Sequence, residues 1–163
     1  SWTKVNGADG YIIYGARCGK KMKRIKTVGA NKKTYTVKKL AKGKYYKYIV
    51  SAYKLVDGKK SVISTSKSAH AVTSGGKYGN PTKVIYSKST INLKKGRTKT
   101  LKPKMKTSKK IRLHIAKFRY ESTNPSVVTV DKNGKLNAKQ KGTSYVYIYA
   151  QNGYYKRIKV NVK

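Results

Sequence analysis

Thr143-Ser144-Tyr145-Val146-Tyr147-Ile148-Tyr149-Ala150 and, past Asn152-Gly153, Tyr155-Lys156-Arg157-Ile158-Lys159-Val160-Asn161-Val162 are the stretches that decide the fold. Side chains alternate faces along a strand, so Ser144, Val146, Ile148 and Ala150 share one face and Tyr145, Tyr147 and Tyr149 the other. The second stretch alternates likewise, with Ile158 and Val160 on its apolar side. A two-residue turn at Asn152-Gly153 would set Tyr147 opposite Ile158 and mix the faces. One extra residue, as in a three-residue loop with a glycine bulge, keeps both apolar sets inside. The register expected on that basis pairs Val146 with Val160 and Ile148 with Ile158. It places Tyr149 beside Arg157, Tyr147 beside Lys159 and Tyr145 beside Asn161.

The same period of two recurs outward from this hairpin, and a helical stripe is hard to find. Candidate strands in the second half are 83–86, 90–93, 99–105, 118–122, 127–130 and 135–138. In the first half they are 10–14, 34–37 and 45–53, where Tyr, Ile, Val and Thr concentrate between Gly, Lys and Asn. Residues 108–117 stay open between a strand and a short helix. Many short strands separated by glycine turns predict an all-β chain of two tandem immunoglobulin-like antiparallel β-sandwiches. The glycine-rich run Thr73-Ser74-Gly75-Gly76-Lys77-Tyr78-Gly79-Asn80-Pro81-Thr82 reads as a connector. The expected division is 1–73, a linker at 74–82, and 83–163.

Charge narrows the chemistry. The 163 residues carry 41 Lys and Arg against 4 acids, a formal charge of +37. Asp9, Asp57, Glu121 and Asp131 are too scattered for an oxygen-ligand calcium cage. Yet the chain is 37% hydrophobic with 15 Tyr, a composition that folds rather than staying disordered. Cys18 is the only cysteine, so an intrachain disulfide is impossible, and no Cys/His spacing of a zinc site occurs. No cofactor and no metal are expected. No apolar run reaches membrane-span length, no signal peptide is visible, and the first residue is not Met; a segment of a longer chain is the expectation.

Two family resemblances follow. Leu40-Ala41-Lys42-Gly43-Lys44-Tyr45-Tyr46-Lys47-Tyr48-Ile49-Val50-Ser51-Ala52 resembles the fibronectin type III pattern of spaced Leu, Gly, Tyr, Val and Ala. On that register Tyr46 is the tyrosine-corner residue, Tyr48, Val50 and Ala52 face the core, Trp2 matches the buried Trp of the second strand, and residues 7–14 resemble the third strand. Nothing before Trp2 supplies the first strand, so the resemblance implies a module truncated at one edge. Residues 83–163 resemble a bacterial Ig-like group 2 domain through Ile91-Asn92-Leu93-Lys94-Lys95-Gly96, Thr100-Leu101, Ser122-Thr123-Asn124-Pro125-Ser126-Val127-Val128-Thr129-Val130, Asn133-Gly134-Lys135-Leu136 and Lys141-Gly142-Thr143. Tyr120 stands where the family commonly has Trp, and 104–116 is longer and more basic than usual. The resemblance implies a long, repetitive surface or secreted protein of Gram-positive gut bacteria, in which such modules act as spacers or adhesive units.

The candidate contact is the outward face of Tyr145, Tyr147, Tyr149, Arg157 and Lys159. Rings interleaved with cations stack on sugars or bases while the cations engage sulfate, carboxylate or phosphate. The competing reading is that Tyr is a good exposed-strand residue whose cross-strand contacts stabilise the sheet. Lysine clusters at 20–24, 38–39, 59–60 and 109–110 are expected in turns or at strand ends. The basic residues are 35 Lys and 6 Arg, and Lys is a hydrated point charge, so diffuse attraction to a polyanion is favoured over specific reading. No catalytic residue is assigned: His70 and His114 lie in different halves outside any nucleophile motif. Asp131-Lys132-Asn133-Gly134 reads as a hairpin turn rather than a calcium loop. Cys18 is open between an exposed and a buried thiol. The expected function is a non-enzymatic spacer and adhesion segment, extracellular or at the cell surface. Its expected partner is an anionic polysaccharide or cell-wall polymer such as teichoic acid, or a host surface glycan or protein. The rivals are a nucleic-acid-binding protein and a passive module of a surface enzyme whose catalytic domain lies outside this chain.

Overall fold

The computed structural model describes residues 1–108 and 111–163. Their regular structure is all β, with antiparallel sheets predominating, as the period of two requires. The chain divides into two compact units, Ser1–Lys77 and Tyr78–Lys163. Among the described residues no helix is long and apolar enough to cross a membrane.

The first unit holds β1 (Gly10–Arg17), β2 (Lys23–Gly29), β3 (Tyr45–Val56), β4 (Lys59–Thr65) and β5 (Ala69–Val72). They form one antiparallel sheet in the order β2-β1-β3-β4, with β5 also pairing with β3. β3 is long enough for Tyr45–Tyr48 to bind β5 while Ser51–Val56 binds β4. Asp57 and Gly58, both at positive φ (50° and 73°), close the β3–β4 turn, the two-residue geometry that matches strand twist. Tyr11, Ile13 and Ala52 are buried on one face, where Ala52 lies opposite Tyr11 and Val50 opposite Ile13. Opposite Tyr48 stands Gly15; a Cβ there would overlap the Tyr48 ring. Trp2 packs on Tyr11, centroids 5.3 Å apart. Residues 34–37, expected as a strand, form none and are mostly exposed. They find no ladder partner among the described residues, and an unpaired strand gains nothing to offset its ordering.

The second unit holds β6 (Tyr78–Gly79), β7 (Lys83–Ile85), β8 (Thr90–Leu93), β9 (Thr98–Thr100), β10 (Lys104–Lys106), β11 (Arg112–Leu113), β12 (Phe118–Ser122), β13 (Val128–Val130), β14 (Lys135–Ala138), β15 (Gly142–Ala150) and β16 (Tyr155–Val162). The expected strand 99–105 is split, because Pro103 has no N–H to give a ladder and β9 and β10 join different sheets. Among the described residues of the open segment only Arg112–Leu113 is regular, paired parallel with Tyr78–Gly79. One main sheet runs β12-β15-β16-β8 and another β13-β14-β9. Val146, Ile148, Ile158 and Val160 from the first meet Val128, Leu136 and Ala138 from the second, with Leu101 just past β9, in one core. Each fully buried aliphatic side chain there contributes about 1.5–3 kcal/mol.

The β15–β16 register differs from the expected one by two residues. Val146 lies opposite Ile158 rather than Val160, and Ile148 opposite Lys156 rather than Ile158. The inward and outward sets are unchanged, because a shift of two preserves the faces. The loop is Gln151-Asn152-Gly153: Gly153 N–H donates to Ala150 O at 3.0 Å and Ala150 N–H to Tyr154 O at 2.8 Å. Gly153 sits at φ 96°. In a three-residue loop of this type the left-handed position is the last one, whereas the expected register would have put the glycine in the middle.

Candidate functional site

All five expected residues lie on the outward face of the β12-β15-β16-β8 sheet, with new neighbours. Tyr149 is opposite Tyr155 rather than Arg157, Tyr147 opposite Arg157 rather than Lys159, and Tyr145 opposite Lys159 rather than Asn161. Tyr155 thus completes an aromatic cluster. The Tyr147 and Tyr149 rings stack at 5.7 Å and 11°, and Tyr155 lies tilted at 5.3 Å from Tyr147 and 5.7 Å from Tyr149. The cations sit on these rings. The Arg157 guanidinium is 4.7 Å from the Tyr145 centroid, and that of Arg119 is 5.3 Å from Tyr149. Such contacts draw on the ring quadrupole and fix the cation's orientation.

Exposure separates the tyrosines. Tyr145 is 38% and Tyr155 57% exposed, whereas Tyr147 and Tyr149 are half-buried by their neighbours. Burial, and then the Glu121 carboxylate, raise the Tyr149 hydroxyl above its ordinary pKa. Glu121 lies opposite Tyr147 and Arg119 opposite Tyr149, and Arg119 Nε is 3.7 Å from Glu121 Oε1. Across the sheet, Thr143 Oγ1 donates to Asn161 Oδ1 at 3.1 Å and Asn161 Nδ2 to Asn92 Oδ1 at 2.9 Å. Sequence reading missed Tyr155, Arg119 and Glu121. For the last two the signal was present: 118–122 alternates, and with Phe118 and Tyr120 inward, Arg119 and Glu121 must point out. Tyr155 needed the correct hairpin register.

Residues 81–160 match the family model of the bacterial Ig-like domain (group 2). Along its whole length the chain is also similar to solved structures. The crystal structure of the S-layer protein rSbsC(31-844) is 16% identical, with 98% of this chain and 21% of that one covered and a TM-score of 0.44. The surface layer protein SbsC, domains 1-6, is 12% identical, with 99% and 38% covered and a TM-score of 0.27. The chain therefore spans about a fifth and about two fifths of those chains. The comparison with curated proteins finds no match.

Within the Ig-like unit the motif residues have physical reasons. Ser144, buried on the inner face of β15, receives the Asn124 N–H at 3.0 Å and bonds Ser122 Oγ at 2.9 Å. Asn124 Oδ1 accepts from Ser126 Oγ at 2.6 Å, and Asn124 O accepts the N–H groups of Val127 and Val128 at 3.1 Å each. The Ser-Thr-Asn-Pro-Ser stretch is thus a bonded corner delivering Val127 and Val128 to the core. Asp131 acts in its own turn, Oδ1 accepting from Asn133 N–H and Lys135 N–H at 2.8 Å each. Gly134, at φ 79°, leaves the space that the Tyr120 ring fills.

Cys18 Sγ is 3.6 Å from His70 Nδ1, and His70 Nε2 is 3.2 Å from Ser68 Oγ. Cys18 is part-exposed and burial raises its thiol pKa, so at neutral pH it is mostly the less nucleophilic thiol. His114 follows β11, and burial lowers its pKa. Lys20 and Lys21 lie between β1 and β2, Lys23 and Arg24 begin β2, Lys38-Lys39 lie outside strands and Lys59-Lys60 begin β4. Lys109-Lys110 lie outside the described residues.

Proposed function

We propose that the chain is a non-enzymatic spacer and adhesion segment of a bacterial cell-surface or secreted protein, held to anionic polymers by diffuse electrostatic attraction. The observation that carries it is the placement of charge. Both units bury apolar side chains, and among the described residues the only buried polar ones are Ser51 and Ser144 and no lysine or arginine is buried. The described share of the 41 cations, set against 4 acids in the whole sequence, is therefore available at the surface, where it attracts polyanions over about a Debye length. The match of 81–160 to a bacterial Ig-like model supports the cell-surface setting. A fibronectin type III-like first unit is supported by Tyr46, whose hydroxyl accepts the Ala41 N–H at 3.1 Å, the contact of a tyrosine corner. The tyrosine face of β15 and β16 is the proposed contact. Retention on heparin and on teichoic acid across a salt series tests the mechanism. Binding should be strong at low salt and fall steeply as salt rises; its absence at low salt, or indifference to salt, refutes it. Duplex DNA of equal charge, bound more tightly than either polymer, would favour the nucleic-acid rival.

A further inference from the structure

We infer that the tyrosine face is a selective subsite for a pyranose polymer carrying about one carboxylate per ring or fewer, rather than for any dense polyanion. The inference rests on the electrostatic reading above and adds to it. It starts from the acids. Asp9 accepts the Leu55 N–H at 2.7 Å, Asp57 sits in the β3–β4 turn, and Asp131 serves its own turn. Of the four acids only Glu121 lies on a strand, and it lies on the tyrosine face, opposite Tyr147. On a surface built only to hold dense negative charge, that carboxylate is a liability. Toward a polyhydroxylated ring it is an acceptor for hydroxyl groups.

The other groups agree. Two of the chain's six arginines, Arg119 and Arg157, stand here, each held against a tyrosine ring. The Arg157 guanidinium, so held, presents its planar fork of donors at little further entropic cost, and the fork matches the two oxygens of a carboxylate, while Arg119 pairs through Nε with Glu121 at 3.7 Å and holds that carboxylate on the face. Tyr155, 57% exposed, offers ring surface at the edge of the cluster for the apolar face of a sugar. Asn161 and Asn92 extend the face with amides. Ring surface, forked cations, one acceptor and amides together suit a sparsely charged polysaccharide; a chain of phosphates without rings would use only the cations.

The test compares, on the full chain, polygalacturonate with one carboxylate per ring, hyaluronan with one per two rings, uncharged dextran, inorganic polyphosphate and oligothymidylate. At about 0.3 M salt, where screening confines attraction to a few ångströms, the two uronate polymers should bind more tightly than polyphosphate. Tyr155→Ser and Glu121→Gln should each lower the ratio of polygalacturonate to polyphosphate affinity about tenfold. Arg157→Lys should lower it severalfold although the charge is kept. Unchanged melting temperatures would exclude misfolding as the cause. Ranking of all polymers by charge density alone, with ratios unmoved by the variants, overturns the subsite while leaving electrostatic attachment standing. Tighter tyrosine-dependent binding of oligothymidylate also overturns it, in favour of bases. Binding to none of the anionic polymers at low salt refutes the underlying reading itself.

Discussion

Replacing Tyr149 with Ser should destabilise the Ig-like unit far more than the same change at Tyr145, although both project from one face of β15. Tyr149 is half-buried, contacts the Tyr147 and Tyr155 rings at 5.7 Å each and carries the Arg119 guanidinium at 5.3 Å. Aromatic pairs contribute about 0.5–1.5 kcal/mol each and an exposed cation–π contact about 0.5–1, so the expected loss is about 2–3 kcal/mol. For a unit of this size that lowers the melting temperature by roughly 10–20 °C. Tyr145, 38% exposed with Arg157 over its ring, should cost about 1 kcal/mol or less. Urea unfolding followed through the amide NMR signals of Val146 and Ile158 reads this unit apart from the first. Tyr149→Ser within about 0.5 kcal/mol of the parent, or Tyr145→Ser costing more, would refute the view that part of the stripe is structural. The consequence for binding work is direct: serine substitution at Tyr147 or Tyr149 confounds affinity with folding, Tyr145 is the cleaner probe, and Tyr155→Ser, which gives up ring contacts at 5.3 and 5.7 Å, is read together with its melting temperature.

Gly134→Ala should cost about 2–4 kcal/mol, combining left-handed backbone strain with overlap of the Tyr120 ring. Gly153→Ala, also at positive φ but with open space around it, should cost only about 1 kcal/mol; equal losses in denaturant titrations would remove Tyr120 from the explanation. Tyr46→Phe should lower the first unit's stability by about 0.5–1.5 kcal/mol, since the Ala41 N–H loses its acceptor. Fluorescence of Trp2, which packs in that unit, would report it, and no change would deny the corner a role. Burial, then Asp131, raise the Tyr120 pKa. Folding thus favours its neutral form: that stabilisation is complete below the ordinary tyrosine pKa near 10 and disappears as pH climbs through the raised folded value. Tyr120→Phe should therefore lose less stability than the parent between pH 9 and 11, measured as melting temperature; parallel pH curves would contradict it.

Alternation was enough to place most second-unit strands and to assign both faces of β15 and β16, because a strand buried on one side writes its faces into every second residue. Pairing partners were less legible. Registers two residues apart bury the same set, so apolar pattern alone could not choose between them, and the choice fell to which loop position Gly153 occupies. Strands β2 and β4 were missed because lysines at Lys23, Lys26, Lys59 and Lys60 break their apolar runs; β4 is exposed along its length, so little burial constrains its sequence. The Asp57-Gly58 pair was a usable hairpin signal. Residues 34–37 carried the composition of a strand, yet composition reports only what a segment suits, and a strand also needs a neighbour. At the tyrosine face, Arg119 and Glu121 come from a strand 20 or more residues upstream. Only sheet order brings them to Tyr149 and Tyr147.

Under the proposed function, charge and selectivity would reside in different parts of this molecule. The described lysines are not buried, occur in both units and act at short range once salt is added, so on the proposed reading they raise local polymer concentration without choosing among polymers of equal charge density. Selection requires groups whose contribution survives screening: ring surface, oriented guanidinium forks and a hydrogen-bond acceptor at fixed spacing. The β12-β15-β16 face has all three, and its acid is the one member that a general polyanion trap would be better without. A salt series on the parent and on Glu121→Gln therefore resolves the two layers. Removing a negative charge should strengthen low-salt binding to polyphosphate while weakening high-salt binding to polygalacturonate. A change of the same sign on both polymers would mean that Glu121 only tunes the field of the surface, and that the face has no chemistry beyond it.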